Sequence, residues 1–140
     1  MNDRFFIDTN IFLYLLDLKA PEKAQRARSL IRSGVETHKA VVSFQVIQEF
    51  FSVAFRRIKP PMTAAEAERF LAITFQPLRT IHSSYSLYGQ ALDLNRKHSV
   101  SWYDSLILAA AIESDCRILY TEDLQHNQKF GDLTVKNPFL

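Results

Sequence analysis

Residues Arg4-Phe5-Phe6-Ile7-Asp8-Thr9-Asn10-Ile11 contain the change of pattern that decides the fold. A short apolar run stops at three residues with helix-capping chemistry, and a second apolar segment, residues 11–16, follows at once. This is a strand feeding a helix, because Asp, Thr and Asn side chains satisfy the free N–H groups of a first helical turn. The same grammar recurs along the chain. Pro21 suits a first helical position, Ala24, Ala27, Leu30 and Ile31 give a helical stripe, and Gly34 is expected to end it. Ala40-Val41-Val42 reads as a strand. Ser43 then caps a helix with Phe44, Ile47, Phe51, Ala54, Phe55 and Ile58 expected on its apolar face, and Pro60-Pro61 stops it. Thr63 and Glu66 form a capping box for a helix to about Phe75, and residues 78–81 read as a short strand. Ser83 or Ser84 opens a helix through Tyr88, Leu92 and Asn95. Ser101 and Asp104 make a second box, before residues 106–112, which are apolar nearly all round and so belong in the centre. Residues 117–121 and 133–135 supply the last strands. Strands alternating with helices predict an α/β sandwich around a parallel sheet.

Composition bounds the function. A chain of 140 residues is expected to form one domain, residues 1–140, large enough for its own core. It is 47% hydrophobic and 23% charged, as globular proteins are, and its net charge of +2 does not by itself announce a nucleic-acid binder. A lone cysteine, Cys116, excludes an internal disulfide framework and suits a reducing compartment. The longest apolar run falls far short of the roughly 20 residues that cross a bilayer, and the N-terminus has no signal-peptide pattern. No membrane role and a cytoplasmic location are therefore expected. Three glycines, Gly34, Gly89 and Gly131, leave no glycine-rich phosphate loop.

Parallel strands joined by crossover helices gather their C-terminal ends on one edge, where open α/β sheets bind ligands. Asp8 ends the first strand, Asp104 lies in the first turn of the central helix, and Asp123 follows the strand ending at Thr121. Glu49 lies about two turns into the helix after Ser43, beside Val46 and Val53. Carboxylates meeting at one edge repel, so one of them must take a proton or the group must share a cation. A set of oxygen ligands without His or Cys favours magnesium or manganese, the equipment of phosphodiester hydrolysis. Each acid also has an ordinary use: Asp8 and Asn10 as caps, Asp104 as the acid of the Ser101 box, Asp123 in a turn, and Glu49 on a solvated flank.

Longer strings narrow the choice. Asp8-Thr9-Asn10-Ile11 resembles the opening motif of PIN-domain nucleases. Ser43-Phe44-Gln45-Val46-Ile47-Gln48-Glu49-Phe50 is similar to the second motif of the VapC-type toxins of that family, and Ser101-Trp102-Tyr103-Asp104-Ser105-Leu106-Ile107 to the third. Leu119-Tyr120-Thr121-Glu122-Asp123-Leu124-Gln125-His126 resembles the fourth, and Asn137-Pro138-Phe139 a typical ending. The four motifs stand in family order over essentially the whole chain. The resemblance implies a three-layer α/β/α PIN sandwich with a mostly parallel sheet, and a Mg2+- or Mn2+-dependent endoribonuclease. Asp8, Glu49, Asp104 and Asp123 would be its catalytic and metal-holding quartet, with Thr9, Asn10 and Thr121 in support. It also implies a homodimer and a VapB-like antitoxin that covers the site. The chain departs from the family pattern at Asn127, where many relatives have glycine, and at Ser114-Asp115, where a glycine-containing pair is usual.

A polyanionic RNA substrate requires cations beside the acids. Arg56, Arg57 and Lys59, and Arg96 and Lys97, are the candidates, although cations near helix C-termini also answer the helix dipole. The stripe Lys23, Arg26, Arg28 and Arg32 reads as a solvated face, and the four histidines lack zinc spacing. Two other readings compete: a PIN-fold scaffold that binds RNA or protein without cutting, and a haloacid-dehalogenase-like phosphatase, which would want a second aspartate where Asn10 stands. RNA and structured DNA are not separable from sequence, because contacts to the 2′-OH are not legible there.

Overall fold

The structure, a computed structural model, describes residues 3–140. Strand β1 (Phe5–Ile7) passes through Asp8 into helix α1 (Thr9–Leu13), which tightens into a 3-10 turn at Tyr14–Leu16. Helix α2 (Pro21–Thr37) leads to β2 (Ala40–Ser43) and α3 (Phe44–Arg56). Helix α4 (Ala64–Phe70) continues as a π-helical turn over Leu71–Phe75, followed by β3 (Arg79–Ile81) and α5 (Tyr85–His98). Helix α6 (Trp102–Glu113), β4 (Ile118–Tyr120), and the hairpin of β5 (Lys129–Phe130) and β6 (Leu133–Lys136) complete the chain.

The sheet runs β3-β2-β1-β4-β6-β5, parallel except for β5. Chain order moves outward from β1 through β2 to β3 on one side, and from β4 to β6 on the other. The direction therefore reverses between β1 and β4, whose C-terminal ends form the crevice in which such sheets bind ligands. Phe6, Ile7, Val41, Val42 and Leu119 are fully or almost fully buried, as expected of central parallel strands covered by helices. In α6, residues Ile107, Leu108, Ala109, Ala110 and Ala111 are buried, which explains a helix apolar on every side.

Both capping signals act. The Thr63 hydroxyl accepts from the Glu66 amide at 3.1 Å, and Glu66 accepts from the Thr63 amide at 3.0 Å. At α6 the Ser101 hydroxyl accepts from the Asp104 amide at 3.1 Å, but the reciprocal bond to the Ser101 backbone is not among the hydrogen bonds of the described residues. The Asp104 carboxyl thus does not close a reciprocal capping box.

Three expectations need correction. Helix α2 continues through Gly34 and ends at Thr37, with His38 in the left-handed conformation at its C-cap. Gly34 serves close packing: a Cβ built there would lie 2.4 Å from the Ala40 Cβ. The buried face of α3 is Val46, Phe50 and Ala54, while Phe44 and Phe55 are exposed, because Phe50 packs into a cluster with Phe70 and Phe75 at ring separations of 4.5 and 5.4 Å. Phe12 of α1 meets Phe75 at 4.8 Å, so this cluster draws α1 and α3 together and brings Glu49 near Thr9. The third is β5, which the sequence reading leaves out; its two residues pair with β6 around Gly131 at φ +63°.

The two departures from the family pattern share a backbone feature. Asn127 has φ +70° and Asp115 has φ +60°, the left-handed region in which glycine is at ease and Asn and Asp are the best-tolerated substitutes.

Candidate active site

Asp8 is the residue at which β1 becomes α1. Extended backbone geometry (φ −77°, ψ 164°) makes it the N-cap, and its Oδ1 accepts from the Thr9 amide at 2.7 Å. Its Oδ2 accepts from the Thr121 hydroxyl at 2.8 Å. Thr121 stands just beyond β4, the parallel neighbour of β1, and is fully buried. The same Thr121 oxygen accepts from the Asn10 side-chain amide at 3.3 Å and from the Asp123 backbone amide at 3.0 Å. One hydroxyl thus ties together three residues of two sequence motifs. Thr9 makes a second link, its hydroxyl donating to Glu49 Oε1 at 2.8 Å. Gln45 of α3 donates to the Tyr103 carbonyl at 3.2 Å, joining α3 to the first turn of α6.

These links place Asp8, Glu49, Asp104 and Asp123 around one cavity of about 200 Å3, with Gln45 and Tyr103 among its other walls. No Lys, Arg or His lines it. The electrostatic consequence falls on Asp8, which is only 6% exposed. Burial pushes its pKa from 3.8 up to about 7; hydrogen bonds from Thr121 and Thr9 oppose the rise, and the charges of Asp123 and Glu49 add to it. Burial also raises Asp104, against the Ser101 hydroxyl and with the charge of Asp123. No side chain among the described residues brings positive charge to the cavity. Among the described residues no three Asp, Glu, His or Cys side chains are gathered tightly enough to form a preformed metal cage. The four acids face a common space without meeting at a point.

Asn10 and Leu13 line both this cavity and a larger groove of about 680 Å3. Arg57 and Lys59 line that groove, while Arg56 at the end of α3 is exposed. Arg96 and Lys97 do not join this rim. Arg96 pairs with Asp93 at 2.8 Å, one helical turn away, and Lys97 lines a separate cleft with Cys116 and Arg117, which lie before β4 at the opposite edge of the sheet. The α2 stripe is exposed at Arg26, Arg28 and Arg32, as a solvated face should be, and departs from that reading at Lys23. Lys23 is half-buried and bonds Glu122 at 2.8 Å, and Arg26 donates to the Pro138 carbonyl at 3.1 Å. Tyr14, Lys23 and Glu122 carry no sequence signal that marks them, since their partners are 9 to 108 residues apart. The Asn10 Oδ1, buried at the junction of the two hollows, has no hydrogen-bond partner among the described residues.

The PIN domain family model matches residues 5–129. No curated protein is significantly similar in sequence. Among solved structures the chain is similar to a toxin–antitoxin complex from Klebsiella pneumoniae, at 17% identity over 95% of this chain and 96% of that one, with a TM-score of 0.70. It is similar to VapBC2 from Rickettsia felis bound to a DNA fragment from its promoter, at 16% identity, 95% and 97% coverage and a TM-score of 0.68. A third is VapC20 of Mycobacterium tuberculosis, described as a toxin that cleaves the sarcin-ricin loop, at 21% identity, 85% and 89% coverage and a TM-score of 0.63. At these identities the structural neighbours speak for the fold, and the family match extends from β1 into β5. The chain belongs to the PIN domain family.

Proposed function

We propose that this PIN domain, residues 1–140 acting as one unit, is a Mg2+- or Mn2+-dependent endoribonuclease and the toxin of a toxin–antitoxin pair. The observation that carries the reading is the convergence of Asp8, Glu49, Asp104 and Asp123 on one cavity that contains no cationic side chain. The donor set fits a hard divalent ion: all four side chains offer oxygen, and Asp8, buried and pushed up to about 7, gains from a nearby positive charge. Asp8, Asp104 and Asp123 would hold the ion, with Glu49 contacting it directly or through water. Bound there, magnesium or manganese would offset charge at phosphate oxygens and acidify water.

The protein's own residues supply the rest. Thr121 and the Thr9 amide fix the Asp8 rotamer, and the Thr9 hydroxyl fixes that of Glu49. Glu49 has one oxygen engaged by Thr9, and its other oxygen orients the attacking water and receives its proton. The water oxygen bonds to phosphorus as the bond to the leaving ribose oxygen breaks, and that oxygen takes a proton from solvent. Arg57 and Lys59, in the adjoining groove, meet phosphates of the flanking strand, with Arg56 beside them. A VapB-like antitoxin and a second copy of the chain are the proposed protein partners, in keeping with the toxin–antitoxin complexes among the structural neighbours. Among the described residues no helix is long and apolar enough to cross a membrane, and we place the activity in the cytoplasm. A haloacid-dehalogenase-like phosphatase is set aside because the chain belongs to another family.

The test is cleavage of structured and unstructured RNA with magnesium, with manganese and with chelator. Wild type should cut only with a divalent ion, and Asp104→Ala should not cut. Cleavage undiminished in chelator, or equal in Asp104→Ala, defeats the proposal. Binding of RNA without any cleavage favours the scaffold reading.

A further inference from the structure

Glu122 and Asp123 are opposite sides of one turn. Asp123 lines the acid cavity and Glu122 lines the neighbouring groove. The turn lies between β4 and β5, and backbone bonds from Thr121 to the Lys136 carbonyl at 3.1 Å and from Asn127 to the Val135 carbonyl at 2.8 Å hold its two ends, with Glu122 and Asp123 between them. The Asp123 amide bonds the Thr121 hydroxyl, yet among the described residues its carboxylate accepts no hydrogen bond. That carboxylate faces the like charges of Asp8 and Asp104. Between those end bonds its amide bond to Thr121 is the one tie of Asp123 itself among the described residues, and outward rotation of the exposed carboxylate would relieve the repulsion, so a second anchor on the far side of the turn would favour the inward position.

Glu122 provides one. Its Oε1 accepts from the Tyr14 hydroxyl at 2.6 Å, its Oε2 accepts from Lys23 Nζ at 2.8 Å, and Lys23 also donates to the Tyr14 oxygen at 3.1 Å. The ammonium lies 4.9 Å from the Tyr14 ring centre and 5.3 Å from that of Phe139, and the two rings meet edge to face at 4.8 Å. A lone surface ion pair would hold a turn weakly. Here both carboxylate oxygens are engaged, and the cation lies beside two rings in mutual contact that come from the 3-10 turn and the C-terminal segment. Lys23 also cancels the charge of Glu122, so the turn brings no fifth uncompensated acid to the site.

We infer that Tyr14, Lys23 and Glu122 are positioning residues that hold the Asp123 carboxylate in the acid cavity by clamping the opposite side of its turn. The inference rests on the cation site proposed above, and its test separates the two. Full-length wild type, Glu122→Ala, Glu122→Gln and Tyr14→Phe are compared by hydrogen exchange of the Asp123 amide in chelator and by Mn2+ titration. Support from beyond the metal ligands typically sets metal affinity by about 10–100-fold. Glu122→Ala should therefore raise the Mn2+ concentration for half-saturation about tenfold and speed exchange at Asp123 by a similar factor, with exchange in β1 and β4 unchanged. Glu122→Gln, which keeps an acceptor for Tyr14, should recover part of both effects, and Tyr14→Phe should show a smaller loss. With saturating Mn2+ and RNA substrate, Glu122→Ala should lower kcat and leave KM unchanged. Unaltered Asp123 exchange and Mn2+ half-saturation in Glu122→Ala overturn the inference, as does faster exchange spread evenly through β1 and β4, which would mark a merely structural network. Should Glu122→Ala fail to fold, Tyr14→Phe decides on the same two readouts. A wild type that binds no Mn2+ and cuts no RNA defeats the proposed function, while the exchange comparison still judges the clamp.

Discussion

Asp8→Asn is expected to abolish cation-dependent RNA cleavage and, in the same protein, to raise the melting temperature measured in chelator. The two effects have one cause. Asp8 is buried among acids, and its charge is unfavourable until something positive arrives. Asparagine keeps the shape and the bond its carbonyl accepts from the Thr9 amide, but its amino group meets a Thr121 oxygen that already accepts from Asn10 and Asp123, so the bond to Thr121 is lost. The fold therefore loses one hydrogen bond, a cost of about 1–3 kcal/mol, and is relieved of a repulsion that exceeds it. The site loses the charge that would hold a cation, and removal of a central electrostatic element of this kind costs on the order of 10^2–10^3 in rate. Cleavage assays with magnesium and thermal melts in chelator at pH 8 check both signs. A variant that is inactive only because it is less stable would contradict the account.

Alkali should weaken the chelated wild type, and magnesium should reverse the loss. The folded-state pKa of Asp8, about 7, lies above its unfolded value of 3.8, so between these pH values the folded chain binds a proton that the unfolded chain has released. The contribution to stability is complete below about pH 4, falls as pH rises, and is gone above about pH 7. At about 1.4 kcal/mol per pH unit, the full loss is about 4 kcal/mol, which for a chain of this size is a shift on the order of 10 °C. Asp104, raised in the same direction, adds to the slope. A cation that binds the folded state alone stabilises by about 2.7 kcal/mol at one hundred times its dissociation constant, and it should do so above pH 7, where Asp8 is ionised. Melting curves from pH 4 to 9, with and without magnesium, for wild type and Asp8→Asn, make the comparison. The variant should show the shallower pH slope and the smaller gain from magnesium.

Local rules were enough for much of the fold. The caps at Asp8, Ser43, Thr63, Ser84 and Ser101 lie where side-chain chemistry puts them, because an N-cap depends on two or three neighbouring residues. The all-apolar α6 could only be central. Failures came where distant packing decides. Phe44 and Phe55 fit an apolar stripe on α3, yet Phe70 and Phe75, from another helix and turn, rotate that helix toward Phe50. Gly34 looks like a terminator in isolation and is instead a contact point with Ala40. The acids at the site were legible from strand ends and ordered motifs. The clamp at Tyr14, Lys23 and Glu122 was not, since nothing local marks three side chains that meet only after α2 and the C-terminal segment have folded onto the β4 turn. Arg96 and Lys97 looked equivalent to Arg57 and Lys59 as cations at helix ends, and only the path of α5 separates them from the acids.

The most direct measurement of the central claim is anomalous scattering from crystals of this protein equilibrated with manganese. The account predicts a manganese peak within coordination distance of the Asp8 carboxylate and of at least one of Asp104 and Asp123, lost in Asp8→Asn crystals. Well-ordered crystals with saturating manganese bound elsewhere, or with no peak in this cavity, would contradict it.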